Sequence, residues 1–348
     1  MTLTATRVTT MLAALTLLSI AGHAQSEVQF GVLGLFHPGT LVLQASSGPA
    51  ISLAGNSDEV ILSNRGRRRE TLRADGDRVI VEHTSASAWQ AAERDGSPAH
   101  FQLSVPGKIV RTYEGKLTVT AHHGELIAVV TMDMETAIAS IVAAEMPARA
   151  PLEALKAQAV VTRSFLSAGK RHSEFDFCDT THCQFLRSPD DASRRVFEAV
   201  NATRGLVLAY QHKPLAAMYA SRCGGQTRTL RDLGMNGADG YPYYSVRCKW
   251  CREHPVHWQS RVETTEDAPR SGNEAIRIER ARQWGWSAIP GSTFTAEKEE
   301  QGLRITGHSI GHGVGLCQFG AIGMASGGAD LRAILAHYYP NTELIQSR

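Results

Sequence analysis

The 348-residue sequence lacks several features that would each have set its class. Beyond its first residues it has no apolar run of the ~18 residues that a membrane-spanning helix needs. It lacks an excess of one charge: 36 Lys and Arg face 34 Asp and Glu, a formal net charge of +2. A dedicated nucleic-acid binder carries a larger basic surplus, so no nucleic-acid partner is expected. Its 31 glycines and 13 prolines are close to average usage, which excludes collagen-like and wholly disordered chains. Six cysteines are too few for a disulfide-dense scaffold but enough for one metal site or a few bridges. What is present is ordinary globular material, 43% hydrophobic and 20% charged, enough for one large domain or two modest ones.

The first 24 residues read as an export signal. Arg7 supplies positive charge, Met11 to Ala21 is an apolar stretch, and Gly22 and Ala24 put small residues at the −3 and −1 positions. Eleven helical residues span roughly 16 Å, about half a bilayer core, so the stretch suits a cleaved leader better than an anchor. Cleavage after Ala24 is expected, with no Cys following to accept a lipid. The mature chain is expected to be secreted, or periplasmic and cell-wall-associated, with no membrane span.

Residues 25–110 read as a β-rich region. Strand patterns recur at Val28–Phe36, Thr40–Gln44, Arg78–Glu82 and Phe101–Val105, with turn signals such as Pro38-Gly39, Asp75-Gly76 and Pro106-Gly107 between them. Strands at Leu117–Ala121 and Leu126–Thr131 continue the pattern. The basic cluster Arg65, Arg67, Arg68 and Arg69 fits a solvated strand edge, with a grip on an anionic polymer as the alternative. Near residue 133 the texture changes. Ile138, Ile141 and Val142 form a helical stripe within Thr136–Glu145. Pro147 and Pro151 interrupt it, and Pro151 suits the first turn of a second helix whose face is Leu152, Leu155, Ala159, Thr162 and Leu166. Shorter patterns predict a helix at Arg194–Val200, a strand at Gly205–Tyr210, a helix at Asn273–Trp284 and a closing helix at Asp330–Tyr338. Residues 222–260 read as irregular. The fold class expected is α+β: a small β-rich N-terminal region and a mixed α/β domain over 111–348.

Four clusters could carry chemistry. Glu145 follows Ile141 and Val142 by four and three residues, so it borders an apolar helix face. Desolvation there would raise its pKa, as a general acid at neutral pH requires; a carboxylate with its head in water is the simpler alternative. Cys178-Asp-Thr-Thr-His-Cys-Gln184 and Cys248-Lys-Trp-Cys251 each bring candidate ligands close in sequence. The C-x-x-C pair with two of Cys178, His182 and Cys183 would complete the four N/S ligands of zinc. Disulfides are the competing reading in an exported chain, and a catalytic cysteine has no recognisable base. The fourth cluster, Gly307 to Ala321, holds His308 and His312 among glycines that allow close backbone approach to a ligand. It is no dinucleotide fingerprint.

These segments resemble the SpoIID/LytB family of bacterial cell-wall proteins, from about Arg111 to Leu344. The resemblance lies in Ile141-Val-Ala-Ala-Glu-Met-Pro147, in Glu153-Ala-Leu-Lys-Ala-Gln-Ala-Val-Val-Thr-Arg163, in Cys178 to Gln184, in Ser221-Arg-Cys-Gly-Gly225, and in Gly311-His-Gly-Val-Gly315 with Gln318-Phe-Gly-Ala321. Two positions depart from it: Cys317 stands where the family commonly has Ser, and Thr136-Ala137 replaces an aromatic-containing pair. The resemblance implies a lytic transglycosylase that cleaves peptidoglycan glycan strands and leaves anhydro-muramyl ends, with Glu145 as the one acid/base. Strands stripped of stem peptides are preferred by some members. It makes Arg163, Gln184, Ser221, His312 and Gln318 expected substrate-binding residues. It tips Cys178 and His182 towards zinc, with Cys248 and Cys251 as the completing pair. His312 is expected to line the sugar cleft, with bracing of the glycine turn as the alternative. A non-catalytic wall-binding modifier of a cell-wall amidase is the other function the resemblance allows.

Overall fold

The structure is a computed structural model that describes residues 27–347 apart from 47, 57, 64, 67, 236–239 and 268–273. The expected leader at 1–24 and Arg67 lie outside the described residues. The fold is α+β, as the patterns above anticipate.

The N-terminal half is one antiparallel sheet organised around the strand Ile109–His122. Its first half pairs with Ala99–Val105, its second half with Glu125–Asp133, and Leu117 to Thr120 also pair with Ala88–Glu93. A break at 110/111 would cut this strand in two. The sheet therefore runs on to Asp133, where the change of texture lies. Alternation does the work along Glu125–Asp133: Leu126, Ala128, Val130 and Met132 are buried while Ile127 and Val129 are half-exposed. Trp89 sits in this core with its indole N–H donated to the Val79 carbonyl at 3.1 Å, so the largest side chain buries no unpaired polar atom.

Seven α-helices are described: α1 Met134–Glu145, α2 Leu152–Ser167, α3 Arg194–Ala202, α4 Lys249–Glu253, α5 Glu274–Trp284, α6 Gln318–Ser326 and α7 Leu331–Tyr338. None is long and apolar enough to cross a membrane. Asp133 converts strand to helix by capping α1, its Oδ1 accepting from the Thr136 N–H at 3.0 Å. Met146, forced to extended backbone by Pro147, ends α1 one residue after Glu145. α2 is buried on every side, not on one stripe, because α1, α3, α6, α7 and the strand Leu206–Tyr210 all pack around it. That strand pairs with Glu343–Gln346 near the C-terminus. A second three-stranded sheet, Trp258–Val262, Gly302–Gly307 and Phe294–Glu299, has its own small core of Ile289, Phe294, Leu303 and Ile305. Its polar outward positions hid these strands in the sequence.

Candidate active site

Glu145 is the last residue of α1, where the helix presents its negative dipole end. Burial raises its carboxyl above the ordinary value, opposed by a hydrogen bond from Gln318 and by the Arg187 charge. The Gln318 side-chain amide donates to Glu145 Oε2 at 3.5 Å and to Gln158 Oε1 at 3.4 Å. Gln158, on α2, donates in turn to Thr162 Oγ1. Gln158 and Thr162 are fully buried, and Gln318 and Gln184 nearly so. The Tyr219 hydroxyl donates to Gln184 Oε1 at 2.6 Å. Its pKa is raised, first by burial and then by the Glu145 charge. The carboxyl thus faces a buried array of amides and hydroxyls, a wall suited to sugar hydroxyl groups. Gln158 and Tyr219 were missed as site residues. A glutamine buried mid-helix among Leu155, Ala159 and Val161 was the available signal.

Of the expected substrate-binding residues, Gln318 and Gln184 lie in this array. Ser221 is exposed, and its carbonyl accepts from the Phe319 N–H at 3.1 Å, beside Gln318. Arg163 does not reach a cleft. It is 2% exposed and forms a fork with Glu135, Nε to Oε1 at 2.9 Å and Nη2 to Oε2 at 2.6 Å, with its other donors on the Leu206 and Val200 carbonyls. Its donors are spent inside the protein, so its role is to tie α2 to α1 and to the strand after α3.

His312 also turns inward. Its Nδ1 accepts from the Val314 N–H at 3.0 Å, and the Tyr219 backbone is its other hydrogen-bonding neighbour. Burial lowers its pKa, with Glu274 opposing, so the ring is neutral. It braces the turn. The glycines likewise meet the chain itself and not an open cleft. Gly315 has φ +72°, and a Cβ there would collide with the Met218 carbonyl; a Cβ on Gly320 would lie 2.6 Å from Cys248 Sγ. His308 is exposed at the edge of a separate groove of about 510 Å³ that Trp258, Thr293 and Phe294 help to line.

Cys178, His182, Cys248 and Cys251 do not converge on one point. The fold builds two clusters, in each of which the ligand atoms lie within 4.8 Å of one another: His172, Cys178, His182 and Cys183, and separately Cys223, Cys248, Cys251 and Cys317. In the first, His172 Nε2 is 3.2 Å from Cys183 Sγ, and His182 Nδ1 is 3.4 Å from Cys183 Sγ and 3.7 Å from Cys178 Sγ. The Cys178 thiol is pulled down to about 3, chiefly by its hydrogen bond with Cys183, whose own thiol is pushed up. In the second, hydrogen bonds with Cys223 pull the Cys248 and Cys251 thiols down, while Cys223 and Cys317 are pushed up. All six cysteines are unbridged.

Residues 122–210 match the family model for the stage II sporulation protein, SpoIID. Three relatives match over a longer stretch than the model does. An uncharacterized protein of Brachyspira hyodysenteriae is 28% identical over 269 residues, 67% of this chain and 72% of that protein. Stage II sporulation protein D of Bacillus amyloliquefaciens is 25% identical over 316 residues, 77% of this chain and 91% of that protein. Stage II sporulation protein D of Bacillus subtilis is 25% identical over 259 residues, 62% of this chain and 75% of that protein. The SpoIID model match and the two relatives named stage II sporulation protein D together support a SpoIID assignment. The SpoIID match contains Glu145, all of α2 and the His172–Cys183 cluster. It stops before Tyr219, Gln318 and the four-cysteine cluster. The similarity to SpoIID points to a cell-wall-related function.

Proposed function

We propose that this chain is a lytic transglycosylase of peptidoglycan glycan strands, with Glu145 as its single acid/base. The observation that carries the reading is Glu145 itself, a partly buried carboxyl at the end of α1 whose pKa burial raises and whose Oε2 accepts from the Gln318 amide at 3.5 Å. A two-carboxylate glycosidase needs its second acid within roughly 5–9.5 Å. A lytic transglycosylase needs one group in two protonation states. Glu145 protonates the glycosidic oxygen as the bond to the anomeric carbon breaks. The carboxylate so formed takes the proton of the sugar's 6-hydroxyl as that oxygen bonds the anomeric carbon. The proton returns to Glu145, no water is consumed, and a 1,6-anhydro ring remains. Burial favours the protonated form and the Gln318 amide favours the carboxylate, so the pair suits both halves of the cycle.

The cluster of His172, Cys178, His182 and Cys183 fits zinc by its donor set, two imidazoles and two thiols close enough to share one ion. Four protein ligands leave no open position, so zinc there supplies folding stability. Gln184 directly follows Cys183, and the cluster thereby fixes the loop that meets Tyr219. The expected leader sends the protein to where its substrate is. Incubating purified protein with glycan strands, with and without stem peptides, and reading the ends by mass spectrometry tests this reading. Wild type is expected to release anhydro-muramyl ends, and Glu145→Gln to be slower on the order of 100- to 10,000-fold. A wild-type protein that releases none but stimulates a cell-wall amidase would replace this reading with the non-catalytic one.

A further inference from the structure

We propose that Cys223, Cys248, Cys251 and Cys317 form an all-thiolate zinc site, distinct from the His172–Cys183 cluster, that locks the segment carrying Gln318. Cys223 comes from the turn Ser221–Gly225, Cys248 and Cys251 from the first turn of α4, and Cys317 from the N-cap of α6. All four are at most 4% exposed. Their sulfurs lie within 4.8 Å of one another, and Cys251 to Cys317 is 3.5 Å. A tetrahedron with Zn–S bonds of about 2.3 Å has edges of about 3.8 Å, the same scale. Two disulfides require the sulfurs to approach in pairs. Mutual approach of all four is what a single ion requires. That spacing leaves no volume between the sulfurs for a multi-iron cluster, and zinc, which has no redox chemistry, is the usual ion of closed structural sites with four thiolates.

The surroundings suit thiolates. The Gly320 N–H points at Cys317 Sγ at 3.4 Å, and the Tyr338 hydroxyl lies 3.5 Å from Cys248 Sγ. Cys317 also stands at the positive end of α6. Donors aimed at metal-bound sulfur are the usual outer shell of such sites. The absence of a side chain at Gly320 has the same logic, because a Cβ would press on Cys248 Sγ. Gln318 directly follows Cys317, and Arg222, before Cys223, lies over the Phe319 ring at 3.5 Å. An ion here joins three segments immediately behind the amide that touches Glu145.

The test is elemental analysis and native mass spectrometry of the full chain purified without added metal. Cys178→Ser/Cys183→Ser is expected to retain about one zinc per chain, held by four sulfurs, and adding Cys223→Ser/Cys317→Ser to that variant to leave none. Loading the first variant with cobalt should give the charge-transfer absorbance of a four-thiolate site. In case the second variant does not fold, alkylation of wild type gives an independent reading: Cys223, Cys248, Cys251 and Cys317 should resist until a chelator is added. Bridges mapped among the four, iron as the bound metal, or alkylation indifferent to the chelator would overturn the site. Only its effect on turnover rests on the proposed chemistry of Glu145. Zinc present in a protein that cleaves no glycan would leave the site standing and remove the enzyme reading.

Discussion

Replacing Arg163 with Met keeps most of the side-chain volume and removes every donor. In the wild type the Arg163 side chain is 2% exposed and its partner Glu135 11%, with two parallel hydrogen bonds between them. Removing one member of a buried pair costs roughly 3–5 kcal/mol, because the other charge stays behind uncompensated. The Leu206 carbonyl loses its donor as well, for about 1 kcal/mol more. The Val200 carbonyl is spared, since the Thr203 backbone and hydroxyl also donate to it. The sum, about 4–6 kcal/mol, corresponds to a fall in melting temperature on the order of 10 °C for a chain of this size. Thermal unfolding followed by circular dichroism measures it. Arg163→Met/Glu135→Met should recover much of the loss, because it leaves no lone charge. Turnover per folded molecule should match wild type in both variants. An Arg163→Met protein that melts with the wild type but turns over glycan poorly would refute the reasoning and return Arg163 to the substrate.

Gln318→Ala removes a hydrogen bond that lowers the Glu145 pKa, so the alkaline limb of the pH–rate profile should move to higher pH; a shift to lower pH counts against the contact. Glu145 has its folded pKa raised, so its contribution to stability is present below pH ~4.5 and lost as pH rises through the folded value. Glu145→Gln should therefore melt above wild type at pH 8 and close to it at pH 4, by calorimetry. His312 has its folded pKa depressed, so its contribution is present above pH ~6.5 and lost as pH falls. His312→Ala should lower the melting temperature at pH 7.5 with turnover per folded molecule intact, and unchanged melting with weak turnover would restore it to the cleft.

Much of the fold was legible because burial here follows simple periods. Strands alternate along 99–105 and 125–133, and the two prolines at 147 and 151 mark the joint between α1 and α2. The continuity of the sheet past residue 110 was hidden because Pro106-Gly107 is a hairpin turn within it, joining Ala99–Val105 to Ile109–His122. The desolvation of Glu145 was legible because its neighbours at i−3 and i−4 are apolar, a local relation. Arg163 was misread for the opposite reason. Its partner Glu135 is on another helix, and only the antiparallel approach of α1 and α2 brings the fork together.

The cysteines carry the same lesson one step further. Spacing within a segment identifies a half-site, since C-x-x-C or Cys178 with His182 places two ligands on one side of an ion. It holds no information on which half-sites meet. Cys178 is held at the edge of the large sheet, where Phe177–Cys178 pairs with Phe30–Gly31. Cys248 and Cys251 are held against α6 and Tyr338. Two half-sites on such different supports cannot close around one ion, so each needed a partner of its own. For the first it is His172 with Cys183, and for the second Cys223 with Cys317. Cys317 was visible beforehand as a departure from the family the chain resembles. An unexpected thiol in a buried glycine-rich turn gains its meaning from the other sulfurs within reach.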